Sequence, residues 1–588
     1  MALLLKELGV QDEQSLLNRL KQDYDWAESE RSTHKTDWEN GRKRYNCEWT
    51  ELTAEEDDED IDNLWFYVPL TYNHIHRIEC AARAHFFPPG QLKLGKVRAA
   101  FPRAADVAAA EIADAVLHTK IDIELNPVRA ITDAFNAGLV EGVGVLKGGW
   151  VARQTVDANG RVQKVSKATL SYLPNEHVLW DPYALTPDDI VFFIHEMWMT
   201  EDELWALQEA GIYQNVEKIG KSESADPGRD TWRESIASPG NRPRWLYKVW
   251  EFWGPQQLLD EDRLDTLHKA GRHQTSVDVV ATTIENRILL RLEENSYSRL
   301  LSNATPYEKL PFWLCIPLPE RGTTFARGLC ERLLPIQREV GIMRNQRRQA
   351  VDLEMTGKVF IDRNRGINIK DVTSNRYMGV VPCDGEPRSA VYDWHPQTST
   401  GQMAQEEGII DGDAREMTGV TNWHMGNQQP GIETATATSI ITQEGNVKLD
   451  NLLQNMGDSA VVPILRFFTA CVREMVTPEE VQDIIGSETA PPDLKTILKD
   501  YRIELEAGAS ATSKAVQVRN IQTALQVLGQ IASAAPQKAL PAMDALMPRL
   551  LQLLGTPEAV SQYIDSQQQG MGAGYGANPA GQGQPAMS

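Results

Sequence analysis

Cysteine is scarce in this chain of 588 residues: Cys47, Cys80, Cys315, Cys330, Cys383 and Cys471 lie far apart, with no C-x-x-C pair. That scatter argues against a zinc framework or a disulfide-stapled secreted domain and points to synthesis in a reducing cytosol. Long apolar runs are missing too. No stretch approaches the ~18–20 residues of a membrane span, and Met1-Ala-Leu-Leu-Leu-Lys6 meets Glu7, Asp12 and Glu13 too soon for a signal peptide. Positive charge is in deficit, with 59 Lys and Arg against 82 Asp and Glu, a net −23. Gripping phosphates over a whole surface requires Lys and Arg to release counterions, so that mode of nucleic-acid binding is disfavoured.

Catalytic signatures are absent as well. Gly220-Lys-Ser222 ends like a phosphate-binding loop, but Asn215 stands where the loop's first glycine belongs. His74 and His76, near Glu79 and Cys80, stand two apart and so do not share a helical face, no second cluster of ligands is evident, and Asp411-Gly-Asp413 lacks the twelve-residue calcium-loop pattern. No G-x-S-x-G or H-E-x-x-H occurs. We therefore expect no enzyme, no cofactor and no metal site.

What is present is a 41% hydrophobic, globular composition, long enough for several substructures. A polar helix is expected near Leu16 to Thr50, then the acidic run Glu55 to Asp60. Trp65 to Thr71 has the aromatic and β-branched density of a strand, and Tyr72 to Phe87 continues as helix. An Ala-rich helix from Ala104 and a further helix after Asn126-Pro127 lead through closely spaced glycines into a strand from Val145. Strands dominate from Val156 to Leu300, with one short helix at Glu201 to Glu209 and a Ser/Asp/Gly/Pro-rich loop at Gly220 to Pro243. The class is α+β, with no βαβ alternation.

The centre of the chain carries its main pattern. Leu329, Leu333, Ile336, Val340 and Met343 form one apolar helical stripe, interrupted by Pro335, and Arg344, Arg347 and Arg348 crowd one turn. Lys358 to Asp362 and Met378 to Pro382 read as strands. A second helix, 397–420, repeats Met403, Ile410 and Met417 at seven-residue spacing and bears Glu406, Glu407, Asp411, Asp413 and Glu416. One helix is basic and its return is acidic. Such a pair reads as solvated faces, as phosphate contacts, or as ion pairs in a packed ring of subunits, and the complementarity favours the ring. Residues 421–433 hold two Gly, one Pro and four side-chain amides but no Lys or Arg, and precede a long apolar-faced helix that Pro463 should bend. A strand is expected at Tyr501 to Leu505, helices from Lys514 to Leu554, and a disordered Gly/Gln/Met-rich tail from Gln567.

This order of elements resembles the portal proteins of tailed bacteriophages. The resemblance rests on Val68-Pro-Leu-Thr71, Glu141-Gly-Val-Gly144, Arg321-Gly followed by Leu334-Pro-Ile-Gln337, and Gly431-Ile-Glu-Thr-Ala-Thr-Ala437 opening the long helix. It implies a portal-type fold: an α+β wing (1–325), a two-helix stem (326–357 and 397–420), a small β-rich clip (358–396) and a tunnel loop (421–433). A long kinked helix (434–476), a wing return (477–510), a helical crown (511–566) and a tail (567–588) complete it. In that frame Trp423, His424, Met425, Asn427, Gln428 and Gln429 line a DNA channel, the charged stem residues make subunit and stem contacts, and Val359, Phe360, Ile361, Arg363 and Arg365 face an adaptor. The implied assembly is a virion ring, typically a dodecamer, at one capsid vertex. It would work with terminase, a head-to-tail adaptor, coat and scaffolding proteins, and double-stranded DNA passing without sequence specificity. Twelve copies would carry roughly −276, a field that keeps DNA from sticking to a channel wall. A virion scaffold or adaptor without a channel is the alternative.

Overall fold

The computed structural model describes residues 13–48, 67–88, 94–99, 104–156, 162–219, 246–257, 269, 276–284, 287–301, 305–356, 358–362, 364, 366–367, 370, 382, 384, 386, 391–394, 400–420, 447–486, 494, 501–505 and 526. The chain divides into two compact units, one of Met1–Ile432 with Glu444–Glu506 and one of Glu433–Gln443 with Ala507–Ser588. Every described residue except Gln526 belongs to the first unit. The crown apart from Gln526, the tail, the acidic run 55–60, the loop 220–243 and residues 421–433 lie outside the described residues, as does all but Pro382 of the strand expected at 378–382.

In chain order the helices and strands begin with α1 (Glu13–Tyr45), α2 (Leu70–Phe86), β1 (Gly95–Ala99), α3 (Ala104–Leu117) and α4 (Val128–Val140). Then follow β2 (Gly144–Val156), β3 (Val162–Leu173), β4 (Val178–Trp180), β5 (Phe193–Thr200), α5 (Glu201–Glu209), β6 (Leu246–Gln257), β7 (Ser276–Ile284) and β8 (Ile288–Glu294). Next are α6 (Ser296–Leu300), β9 (Phe312–Cys315), α7 (Leu329–Arg332), α8 (Leu334–Thr356), β10 (Lys358–Ile361), β11 (Val391–Trp394) and α9 (Thr400–Thr418). Last come α10 (Val447–Met456), α11 (Val462–Met475), α12 (Pro478–Ile485) and β12 (Tyr501–Leu505). The fold is α+β. All strand pairings are antiparallel: β4-β5-β6-β7-β8, β3-β2-β9, and the pairs β1-β12 and β10-β11.

The five-stranded sheet is covered on both faces because successive side chains of a strand point to opposite sides. In β8, Leu289 and Leu292 pack with Leu16, Leu17 and Leu20 of α1, whereas Ile288 and Leu290 pack with Leu204 of α5 and Tyr213. Thr200 opens α5 with a capping box, its hydroxyl accepting from Glu203 N while the Glu203 carboxylate accepts from Thr200 N. A larger core joins α2, α3, α4, β2 and β9 to α10 and α11 through Phe86, Phe135, Trp313, Phe467 and Phe468.

Two expectations meet a different outcome. The described part of Trp65–Thr71 contains no strand: Pro69, with φ −78°, is the N-cap of α2, and Asn73 N–H donates to Pro69 O at 3.1 Å. Proline has no N–H for a ladder and its fixed φ starts a helix, which overrides the β propensity of its neighbours. On α9 the seven-residue repeat does not stay on one face, since Ile410 is buried, Met403 half-buried and Met417 exposed; the buried line is Ile410, Ala414 and Thr418.

Pro335 acts as expected. Leu333 separates α7 from α8, and Pro335 sits in the first turn of α8, where a missing N–H is harmless. Pro463 lies in the first turn of α11, directly after a π-helical turn at Gly457–Val461 in which Val462 N–H donates to Gly457 O. That wider turn takes up the ring that would strike the carbonyl four residues earlier, and within it the Ser459 hydroxyl accepts from Ile316 N at 3.1 Å.

Candidate assembly and channel site

The helix pair α8/α9 brings together part of the charged set. One carboxylate oxygen, Glu407 Oε2, accepts from Arg344 Nη1 at 3.2 Å and from Arg347 Nη1 at 2.7 Å. Arg348 joins Arg344, Arg347, Val351 and Asp352 around a recess of about 320 Å³. The other acids are not brought to these arginines: Asp411 pairs with Arg415 on its own helix, and Glu406, Asp413 and Glu416 are exposed. Complementarity is thus satisfied within one subunit at Glu407, and the outer acidic edge of α9 stays in solvent.

Both helices are held at their base by α2. Gln337, buried on α8, accepts at Oε1 from Thr71 N (3.1 Å) and Thr71 Oγ1 (3.0 Å), and its Nε2 donates to Val68 O at 2.6 Å. The segments 68–71 and 334–337, far apart in sequence, therefore clasp each other. One turn further along α2, His74 Nδ1 lies 2.9 Å from Thr418 Oγ1 at the end of α9. Thr418 Oγ1 itself donates to Ala414 O, which leaves the histidine nitrogen as donor. Burial, with Arg77 and Arg415 nearby, lowers the His74 pKa to about 4 despite Asp411. Thr71, Gln337 and Thr418 carried no chemical signal in the sequence, although the segments 68–71 and 334–337 were among those that carry the family resemblance.

The connection between α8 and α9 is the β10-β11 hairpin. Phe360 stands opposite Tyr392 with ring centroids 6.2 Å apart, and the two side chains are 57% and 64% exposed. Ile361 is half-buried, and Val359 is paired with Asp393. Arg363 and Arg365 lie outside the described residues, as do Trp423, His424, Met425, Asn427, Gln428 and Gln429.

Buried carboxylates in the body are neutralised pairwise. Burial alone would raise Glu196, yet Arg31 at 3.1 Å and Lys248 at 2.9 Å, with the Tyr24 hydroxyl, pull it down to about 2. Lys147 and His195 likewise hold Glu251 well below the carboxylate range. Glu141 differs: burial pushes it up to about 7, although Arg42 at 3.0 Å and Asn175 at 2.6 Å favour its charge. It caps α4 just before Gly142, whose φ of +99° and whose missing Cβ, only 1.8 Å from Ala326 O if present, leave no room for another residue. Among the described residues no three His, Cys, Asp or Glu side chains converge as a metal site, and no helix is long and apolar enough to cross a membrane.

No curated protein matches the chain. The family model described as the phage SU10 portal protein matches residues 154–587, taking in the five-stranded sheet, the helix pair, the hairpin and the long helix. The chain therefore belongs to the phage portal protein family and is a component of the virion capsid.

Proposed function

We propose that copies of this chain close into a ring, typically of twelve, at one capsid vertex. There the ring nucleates head assembly with coat and scaffolding proteins, docks terminase, conducts double-stranded DNA during packaging and ejection, and afterwards binds the head-to-tail adaptor. Its role is structural, with no catalysis. In this reading α8 and α9 are the stem, the hairpin-bearing insert 358–396 is the clip that meets motor and adaptor, and residues 421–433 are the tunnel loop.

The observation that carries the reading is the Arg344–Glu407–Arg347 clasp between two helices whose connection is an exposed aromatic hairpin. A helix pair closed by ion pairs at its middle and anchored to one support at its base is stiff enough to hold a hairpin away from the body. A two-stranded hairpin also offers unpaired backbone edges to a neighbour. The net −23 per copy suits a conduit that must not bind its cargo. The test is negative-stain imaging of the purified chain, in which class averages should show a closed ring with a central hole. Open or monomeric particles at all concentrations would reject the ring and leave a non-channel scaffold.

A further inference from the structure

Away from the helix pair, an aromatic patch stands open on the five-stranded sheet unit. Tyr183 is 78%, Leu185 59% and Trp26 39% exposed. Trp26 of α1 packs its ring 4.8 Å from Tyr183 and 6.3 Å from buried Phe192, so the patch is rooted in the core. The loop that presents it is locked. Asp181 Oδ1 accepts from Tyr183 N at 2.9 Å, Asp189 Oδ2 accepts from Thr186 N and Oγ1 at 3.0 and 2.7 Å, and Pro182 and Pro187 restrict the backbone further. Large aromatic side chains on a preorganised loop are anchors for binding, because little entropy remains to be lost.

The surroundings are acidic. Residues 178–200 and 22–30 contain no Lys or Arg, while Asp25, Asp188 and Asp189 are exposed beside the patch, and the nearest arginine on α1, Arg31, is occupied by Glu28 and Glu196. Such a rim repels phosphates and anionic lipid headgroups. It attracts Lys and Arg, which can also lie over the tryptophan and tyrosine faces. A second copy of the chain would have to offer a basic apolar surface; of the described arginine cluster, Arg344 and Arg347 are already engaged by Glu407. We propose that Trp26, Tyr183 and Leu185 form a docking surface for a basic segment of another protein that inserts a large apolar side chain. The proposal does not depend on ring formation, since every residue involved lies within one subunit.

The test uses the full-length chain and a fluorescent amphipathic peptide of about 18 residues, Leu and Trp on one face and Lys on the other, beside a version with Glu for Lys. The Lys peptide should bind and the Glu peptide should not. Tyr183→Ser with Leu185→Ser should weaken binding about tenfold or more, with an unchanged melting curve and oligomeric mass, whereas Trp205→Ser, an exposed tryptophan on α5, should not alter it. Independently, a benzophenone amino acid placed at position 183 should crosslink to the peptide, and one placed at position 205 should not. Equal binding by the double variant, or equal crosslinking at both positions, would overturn the proposal as diffuse attraction to an acidic protein. A changed oligomeric mass would overturn it in favour of a contact between copies.

Discussion

Gln337 satisfies three backbone and side-chain partners from one amide, so its replacement separates packing from hydrogen bonding. Gln337→Leu keeps the volume but leaves Thr71 N–H buried without its acceptor, while Val68 O keeps the Leu70 N–H at 2.8 Å, a loss of roughly 1–3 kcal/mol. Gln337→Glu keeps the acceptor for Thr71 but turns a carboxylate oxygen toward Val68 O, and thermal unfolding should place it below the parent at neutral pH. A Gln337→Leu variant as stable as the parent would show that the clasp does not hold α8. His74 gives a pH dependence of definite sign. Its folded pKa, about 4, lies below the ordinary value of 6.5, so the unfolded chain takes up the proton first. The stabilisation is complete above pH ~6.5 and is lost as the pH falls toward 4. His74→Gln, which can still donate to Thr418, should lack that part of the decline, so the stability gap between the two proteins should change across pH 6.5–4 and stay constant above it.

At the scale of elements, α8 and α9 share one carboxylate between two arginines. Glu407 is largely shielded while Arg344 is half-exposed, so the Arg347–Glu407 pair should carry more of the coupling. A double-mutant cycle with Arg347→Ala and Glu407→Ala should return on the order of 1 kcal/mol, and the Arg344 cycle less. Glu407→Lys opposes both arginines and should separate the helices, read as faster hydrogen exchange in Val340 to Val351. Reversal of Arg344, Arg347 and Arg348 together should weaken the assembled oligomer in native mass spectrometry at low salt; an unchanged oligomer would confine these residues to a role inside one subunit.

At the scale of the whole molecule, the proposed channel role of 421–433 gives the absence of Lys and Arg there a testable consequence. A ring of fixed cations in a channel would bind successive phosphates and act as a brake. Gln428→Arg should therefore slow packaging in a salt-dependent manner while ring assembly stays intact. A variant that packages at the parental rate at both low and high salt would place this loop away from DNA.

What the sequence determined by itself is whatever depends on local chemistry. Pro335 marked where a helix restarts, because a missing N–H acts within one turn; the helix Glu201–Glu209 was legible too, and the contacts of its Thr200/Glu203 capping box are equally local. The α+β class and the opposite charges of α8 and α9 were equally visible. Tertiary structure alone decided which partners meet. Five acids on α9 look alike along the chain, but helix rotation aims only Glu407 at Arg344 and Arg347. Val391–Trp394 pairs with β10 across some thirty intervening positions, since strand pairing is a choice among distant segments that no local preference encodes. His74 could be read as a lone ligand until α2 and α9 packed, when Thr418, 344 positions away, became its partner. Side-chain identity fixes what a residue can do, and packing decides to whom it does it.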